Sequence, residues 1–467
     1  MSESSPIFAV VLAAGKGTRM KSNRAKVLHT LCGIPMVNYV IEATRPLVPE
    51  GLFVVVGHQA ELVEAVLPED AEAVLQEEQL GTGDAVRSAL ASIEEEDDGV
   101  LLVVNGDGPL ISDRTLGELV ERHRSADVGA TVLVAELDDP SGLGRVVEDA
   151  GVVRIVEEKD ATEAERAVRL VNLGLYAFKL SEIREAVGGL TAENESGELY
   201  LTDVLETIGR RSRAVTYRLK DLEEANLVND RAQLARAEEI FRRRILDAHM
   251  REGVTVRDPA STHIEASVEI EHDTVILPGT FLRGGTRIGS DCVIGPSTDL
   301  QDTLVGDGAL VEHSVGRGAE VGDGVSVGPY SFLRPGTVLE AGAKVGAYCE
   351  VKNSRVGRGS KVPHLSYVGD TEIGAGVNLG AGTITANYDG VGKHKTNVGD
   401  GAFTGVHTTL IAPVTVGEDS YTGAGSVINK DVPAGRLAVG APARSIRESP
   451  QSRRKRQDVT RENETEG

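Results

Sequence analysis

Residues 315–351 read VGRGAEVGDGVSVGPYSFLRPGTVLEAGAKVGAYCEV. Val315, Val321, Val327, Leu333, Leu339, Val345 and Val351 fall six apart without a break, and glycine follows at 316, 322, 328 and 346. A six-residue period with one aliphatic per period predicts a parallel β-helix built from hexapeptide repeats. Each period forms one flat face of a coil, and stacked coils bury a ladder of aliphatic side chains. Ile288, Ile294 and Leu300 begin an earlier phase, while Val398, Thr404, Leu410, Val416, Thr422 and Ile428 carry a later one. Such coils wind left-handed, against the usual crossover rule, so a left-handed β-helix is expected over residues 253–447.

One break interrupts the count. The phase reaches Thr385 and resumes at Val398, thirteen residues on instead of six. The extra residues predict a protruding loop that holds Asn387, Tyr388, Asp389, Lys393, His394 and Lys395. Insertions in solenoids map to loops and often to binding sites.

Working back toward the start, residues 1–228 alternate strand and helix patterns. Ile7–Leu12, Leu52–Val56, Val100–Asn105, Ala130–Ala135 and Leu170–Phe178 read as strands, with Ala73–Leu75 as a further short one. Val37–Thr44, Ala60–Val66 and Asp84–Ile93 carry helical spacing. This alternation predicts an α/β, Rossmann-like, mainly parallel sheet, whose ligands bind beyond the carboxyl ends of its strands. Residues 229–252 form one polar helix pattern with a narrow stripe of Leu234, Ile240, Phe241 and Ile245, closed by Gly253. It reads as a linker between the two regions. Residues 448–467 are charged and aperiodic and are expected to be disordered, with Arg453, Arg454, Lys455 and Arg456 as a solvated basic cluster.

Composition narrows the function classes. In 467 residues, 72 acidic side chains against 49 basic ones give a formal charge of −23. That argues against nucleic acid and anionic membranes as partners. Cys32, Cys292 and Cys349 are scattered and odd in number, with no disulfide or zinc spacing, which points to a reducing compartment. The first apolar run is too short for a signal peptide, and no segment is long enough to span a membrane. A cytoplasmic protein is expected.

The strand Ile7–Leu12 opens into Ala13-Ala14-Gly15-Lys16-Gly17-Thr18-Arg19. A backbone stripped of Cβ at a strand end admits a phosphate, and Lys16 and Arg19 supply charge. The loop lacks the Gly-Lys-Ser/Thr ending of the P-loop and the third glycine of the dinucleotide fingerprint, so alone it is a weak signal. Asn105-Gly106-Asp107 follows another strand, where a carboxylate suits a hard divalent cation as well as a simple turn. Gln76, with Gly81-Thr82-Gly83, offers an amide and a flat backbone to a nucleobase.

Taken together, Leu12–Met20, Lys26-Val27-Leu28, Gln76, Gln79-Leu80-Gly81-Thr82-Gly83 and Gly106-Asp107 resemble the sugar-1-phosphate nucleotidyltransferases. His364, Tyr367, Asn378 and Asn387-Tyr388-Asp389-Gly390 narrow the resemblance. To about residue 447 the chain resembles the bifunctional N-acetylglucosamine-1-phosphate uridylyltransferase/glucosamine-1-phosphate N-acetyltransferase family of bacterial cell-envelope synthesis. The resemblance implies that Leu12, Ala13, Gly15, Lys16 and Arg19 hold the UTP phosphates and Lys26 the reacting ones. It gives uracil to Gln76, Gly81 and Thr82, the sugar to Gly144, Glu157 and Asn172, and magnesium to Asp107 and Asn229, the latter also a substrate contact. In the repeat region it makes His364 the general base, steadied by Glu350. Arg334, Lys352, Tyr367, Asn378 and Lys393 would hold glucosamine 1-phosphate. Asn387, Tyr388, Ala381, Val406, Ala424 and Arg444 would line acetyl-CoA, with an oxyanion donor near Asn387 or Tyr388. A homotrimer with acetyl sites between subunits is implied as well.

Three departures from the family pattern stand out. Gly108 replaces a bulkier residue after Asp107, Leu173 replaces a frequent Thr after Asn172, and Val406 replaces a serine that contacts acetyl-CoA. Arg444 is the nearest basic residue for the CoA phosphates. Two rival functions follow: a monofunctional nucleotidyltransferase whose β-helix serves only oligomerisation, and a non-enzymatic scaffold that binds partners on its flat faces.

Overall fold

The computed structural model describes residues 5–48, 51–94, 99–149, 152–192, 194 and 197–448. The charged tail and its basic cluster lie outside the described residues, except Glu448, which ends a strand. The chain divides into two compact units, Met1–Phe241 and Arg242–Gly467.

The first unit is built on a nine-stranded sheet. Its strands are β1 (Ile7–Leu12), β2 (Gly51–Val56), β3 (Ala71–Leu75), β4 (Val100–Asn105), β5 (Ala130–Glu136), β6 (Arg145–Asp149), β7 (Val152–Val156), β8 (Leu170–Lys179) and β9 (Ala214–Arg218). Their order is β9-β5-β8-β4-β1-β2-β3, with the β6–β7 hairpin attached to β8. Strands β4, β1, β2 and β3 run parallel, and β9 runs parallel to β5. The parallel pattern is broken by β8, antiparallel to both β4 and β5, and by the antiparallel β6–β7 hairpin. Between β5 and β8 the chain makes only the hairpin and a four-residue helix, Glu163–Arg166, too little for a crossover back to the same end. The central strands are apolar on both sides. Val10, Val55, Leu101 and Val103 pack into one buried cluster, and Ala9, Val11, Val54, Leu102 and Val104 into another.

The long helix α1 (Arg231–Arg251) spans the division between the units. Its apolar stripe is shared out. Leu234, Ile240 and Phe241 pack with Leu31, Met36, Leu110 and Val228. Ile245 joins Leu246 and Met250 against the core of the second unit.

That second unit is the β-helix. Short parallel strands stack into sheets of seven, ten and nine strands, successive coils adding strands to these faces in turn. In the ten-stranded sheet the register places Ile264, Leu282, Leu300, Gly316, Leu333, Val351 and Val368 one above another, all buried. Each fully buried Val, Leu or Ile contributes roughly 1.5–3 kcal/mol. Val315, expected in the ladder, is only half-buried, and Gly316 takes the inward place. The coil from Leu300 to Gly316 is 16 residues, against 18 from Leu282 to Leu300. The next step, Gly316 to Leu333, is 17 residues, so the inward place falls one residue after Val315, and glycine fits because a Cβ there would lie 2.8 Å from Leu300 Cδ2. Threonines in the later phase satisfy their hydroxyls inside the core: Thr404 bonds Thr383, and Thr422 bonds Thr408, each at 2.8 Å.

The interruption leaves the coil between strands Ile384–Ala386 and Thr396–Val398, which rejoin their sheets in register. It is bonded to itself. Asp389 Oδ1 accepts the Val391 and Gly392 N–H groups at 2.8 Å each, and His394 Nε2 lies 2.7 Å from Asp389 Oδ2. Those bonds hold the Asp389 carboxyl below the ordinary range.

Candidate active sites

In the first unit Leu12 and Asn105 are register partners, so the loops after β1 and β4 leave the sheet side by side at its carboxyl edge. The Gly106 N–H donates to the Leu12 carbonyl at 3.0 Å and ties them together. Gly15, Lys16 and Arg19 stand exposed above this edge, while Ala13 is buried and offers only backbone. No atom approaches within 4 Å of a Cβ built on Gly15, so that glycine leaves open space. Lys26 Nζ forms an ion pair with Asp107 Oδ2 and lies 3.2 Å from Asn229 Oδ1, which also accepts from Arg19 Nη2 at 2.8 Å. Asp107 Oδ1 is buried without a partner. An orphaned carboxylate oxygen beside an amide oxygen fits a divalent cation that completes its shell with phosphate and water. Among the described residues no group of three or more His, Cys, Asp or Glu offers an all-protein metal cage. Gly108 leaves room that Leu227 partly fills, since a Cβ there would lie 3.2 Å from Leu227 Cδ2.

Beside this edge opens a cleft lined by Leu12, Arg19, Thr82, Asp107, Gly144, Glu157, Asn172 and Asn229, eight of the expected residues. Asn172 donates to the Tyr176 hydroxyl at 2.7 Å and accepts the Gly174 N–H at 3.0 Å. Gly144 spares space for the neighbouring carboxyl, because its Cβ would lie 3.3 Å from Glu157 Oε1. Burial, then the charges of Asp160, Asp203 and Glu198, raise the Glu157 carboxyl above its ordinary value. The hairpin that carries these residues is braced by Arg145, 2% exposed, paired with Glu158 at 2.7 Å and donating to the Leu143 carbonyl. Asn105, Tyr176, Leu201 and Thr202 also line the cleft and were not read as site residues. Alternation along β8 from Asn172 would have found Tyr176; nothing in the sequence marked Thr202.

Gln76 is buried, and its Nε2 is held by the Gly81 carbonyl at 3.1 Å and Asp84 Oδ2 at 2.8 Å. Gly81 has φ +118°, and a Cβ there would lie 2.6 Å from the Leu199 carbonyl oxygen. Thr82 Oγ1 accepts the Leu201 N–H at 3.0 Å, so this turn is anchored to the far wall of the cleft.

On the β-helix, His364 is exposed at the end of the strand Lys361–His364. Backbone bonds from Leu365 to Ala347, Gly382 to His364, His407 to Ala381 and Gly425 to Val406 place these residues at one corner of successive coils. His364, Ala381, Val406 and Ala424 therefore stack along a single edge. The adjoining face carries Arg334, Lys352 and Tyr367, with Glu350 register-paired to Tyr367. Glu350, expected to steady His364, accepts instead from Arg334 at 2.8 Å. Lys393 comes from the inserted loop, and the neighbouring Lys352, a second cation beside it, holds the Lys393 ammonium below the usual lysine value. Burial pushes the nearby Asp370 up, but bonds from Asn353 and Asn387 and the charges of Lys352 and Lys393 bring it below its ordinary range. Asn387 is buried and spends its amide on Asp370, so it anchors the loop, whereas Tyr388 is 61% exposed. Asn378 bridges the strands on either side of it, and Arg444 is exposed on the final strand.

Comparison with known proteins covers both units. The profile of the MobA-like NTP transferase domain matches residues 9–167. Over 449 residues the chain is 78% identical to the Bifunctional protein GlmU of Rubrobacter xylanophilus, covering 96% of each sequence. The chain belongs to the GlmU family. GlmU proteins of Brevibacillus brevis, 50% identical over 93% of this chain and 95% of the relative, and Mycobacterium bovis, 46% identical over 94% and 90%, match at similar extent. The GlmU match runs across the nucleotidyltransferase sheet and the β-helix alike. Nucleotidyl transfer relies on a divalent cation to carry the phosphates, and the donor set at Asp107 is suited to one. Among the described residues no helix is long and apolar enough to cross a membrane.

Proposed function

We infer that this chain is the two-activity enzyme of UDP-N-acetylglucosamine synthesis. It moves an acetyl group from acetyl-CoA to glucosamine 1-phosphate, then joins N-acetylglucosamine 1-phosphate to UTP with release of pyrophosphate. The observation that carries this is the meeting of Arg19, Lys26, Asp107 and Asn229 beside the cleft of Glu157 and Asn172, in a chain whose near-full-length relatives are named bifunctional. Residues 1–228 serve uridylyl transfer, 229–252 link, and 253–447 serve acetyl transfer. Full-length identity to bifunctional relatives speaks against the monofunctional rival and the scaffold.

In the first step of the sheet domain, Gly15 and the loop amides receive the triphosphate, and Lys16 and Arg19 neutralise it. Gln76, its donors already held, turns its remaining acceptor oxygen to the uracil N3–H. Glu157 and Asn172 fix the sugar so that its phosphate oxygen lies in line with the α-phosphorus. Asp107 and Asn229 would hold magnesium, whose charge would offset that of the phosphates. On the β-helix, Lys352, Lys393, Arg334, Tyr367 and Asn378 grip glucosamine 1-phosphate; two lysines that repel each other favour an anion between them. His364 removes the proton from the 2-amino group, the amine attacks the thioester carbonyl, and the C–S bond breaks so that CoA leaves and takes up a proton as the free thiol. Val406 in place of serine removes one polar contact to CoA. The open corner at His364 supports a homotrimer with acetyl sites completed between subunits. Buried free cysteines and these substrates support a cytoplasmic setting.

The test is a two-step assay on the full chain. Thiol release from acetyl-CoA with glucosamine 1-phosphate, followed by pyrophosphate release with UTP, should both occur. Asp107→Ala should lose only the second and His364→Ala only the first. Unchanged uridylyl transfer in Asp107→Ala, or normal acetylation in His364→Ala, would overturn the corresponding assignment.

A further inference from the structure

Lys26 stands where the metal assignment needs free oxygens. Its Nζ is bonded to Asp107 Oδ2 and lies 3.2 Å from Asn229 Oδ1, the two groups assigned to the cation. The pair is no incidental surface contact, for both side chains are only 15% exposed. Nor is it a finished ion pair, because Asp107 Oδ1 remains buried and unpartnered. A divalent cation and an ammonium repel each other strongly at such distances. The ammonium sits on Asp107 Oδ2 and beside Asn229 Oδ1, so a cation taking Asp107 Oδ1 and Asn229 Oδ1 competes with it for the same carboxylate and the same amide oxygen.

The lysine has somewhere else to go. Its Cβ packs against Gly17, in the loop that faces the phosphates, close enough that a Cβ on residue 17 would lie 2.5 Å away. The stem is thus fixed at its base, while the outer torsions of lysine stay free to swing the ammonium from carboxylate to phosphate. Arg19, bonded to Asn229 Oδ1 at 2.8 Å, is a second cation on the other ligand and belongs to the same loop.

We propose that Lys26 is a placeholder cation. It occupies the metal ligands in the substrate-free enzyme and leaves them when nucleotide phosphates arrive, so that tight metal binding waits for the nucleotide. This rests on the assignment of Asp107 and Asn229 as the metal ligands.

Manganese(II) is the probe, followed by the loss of its free-ion electron paramagnetic resonance signal on titration with the full chain. Titrations are run with and without a non-hydrolysable UTP analogue. The unmodified chain is expected to bind manganese at least tenfold more tightly with the analogue than without it. Lys26→Gln and Lys26→Met, checked for native melting by circular dichroism, should bind manganese alone at least tenfold more tightly than the unmodified chain. If neither folded variant gains affinity for manganese alone, the placeholder role is wrong. Asp107→Asn separates the two levels of the argument. Loss of manganese binding in both conditions supports the ligand assignment. Retained nucleotide-dependent binding shows instead that the metal lies elsewhere, and the placeholder falls with it.

Discussion

Gly17 lies against Lys26 so closely that any side chain at 17 would collide with the lysine stem, its Cβ 2.5 Å from that of Lys26. The same glycine has φ +61°, a left-handed conformation that costs an ordinary residue about 1 kcal/mol. Gly17→Ala is expected to push Lys26 away from Asp107 and lower kcat/KM for uridylyl transfer by about tenfold or more, while acetyl transfer is unchanged. Gly15→Ala makes the contrast. It meets no protein atom, so the melting temperature should hold while KM for UTP rises. Parallel pyrophosphate and thiol-release assays check both.

Lys393 gives a pH signature. Its ammonium is held below the usual lysine value by Lys352, so as pH rises it loses its proton earlier than a free lysine would. A bound phosphate favours the charged form. Affinity for glucosamine 1-phosphate should therefore fall as pH climbs through the lowered value, with proton uptake on binding in that window. Lys352→Met removes the repulsion and moves the fall to higher pH, while affinity at neutral pH drops about tenfold. Calorimetry in buffers of different ionisation enthalpy measures both effects.

Glu157 works in the opposite sense. Burial and the acids Asp160, Asp203 and Glu198 raise its folded value above the unfolded one. The charged form is therefore penalised in the fold. Its cost to stability appears as pH rises from the unfolded carboxylate value through the folded one, and is complete above it. Glu157→Gln should raise the melting temperature at neutral pH, lose that advantage below about pH 4, and raise KM for N-acetylglucosamine 1-phosphate about tenfold. A melting temperature unchanged at neutral pH would show that the carboxyl is not strained there.

The slip at Val315 predicts a difference between two residues that look alike in sequence. Val321→Ala removes buried methyls and should cost about 1–3 kcal/mol, whereas Val315→Ala, half-buried, should cost under about 1. Chemical denaturation of the two variants checks it. Equal losses would mean that both side chains face the core.

Why the sequence showed one of these valines correctly and not the other is a matter of what a period can record. Leu333, Leu339 and Val345 were legible because a solenoid repeats one local solution, and the broken count at Thr385 located the inserted loop. Val315 was not, because the step from Gly316 to Leu333 is one residue short of eighteen, which leaves the apolar spacing intact while changing which residue points inward. The parallel strands of the sheet were legible as continuous apolar runs, but the reversed direction of β8 was not, since Leu170–Phe178 reads the same either way. The same divide holds at the sites. Gly15, Lys16 and Asp107 carry local signatures. Tyr176 shares a face with Asn172 by alternation, but Thr202 enters the cleft only through the packing of a distant segment. The pairing of Lys26 with Asp107, 81 residues apart, leaves no trace in either neighbourhood.

The β-helix gives its catalytic face a reading frame. Arg334 meets Glu350, and Lys352 lies on the same face, because whole coils separate them. Deleting six residues between Arg334 and Glu350 would leave every downstream aliphatic position still pointing inward, yet rotate all that follows by one face and part Arg334 from Lys352. Removing one full coil would restore the alignment. Stability and chemistry thus obey different arithmetic in this domain: the core counts in sixes, and the active face counts in coils.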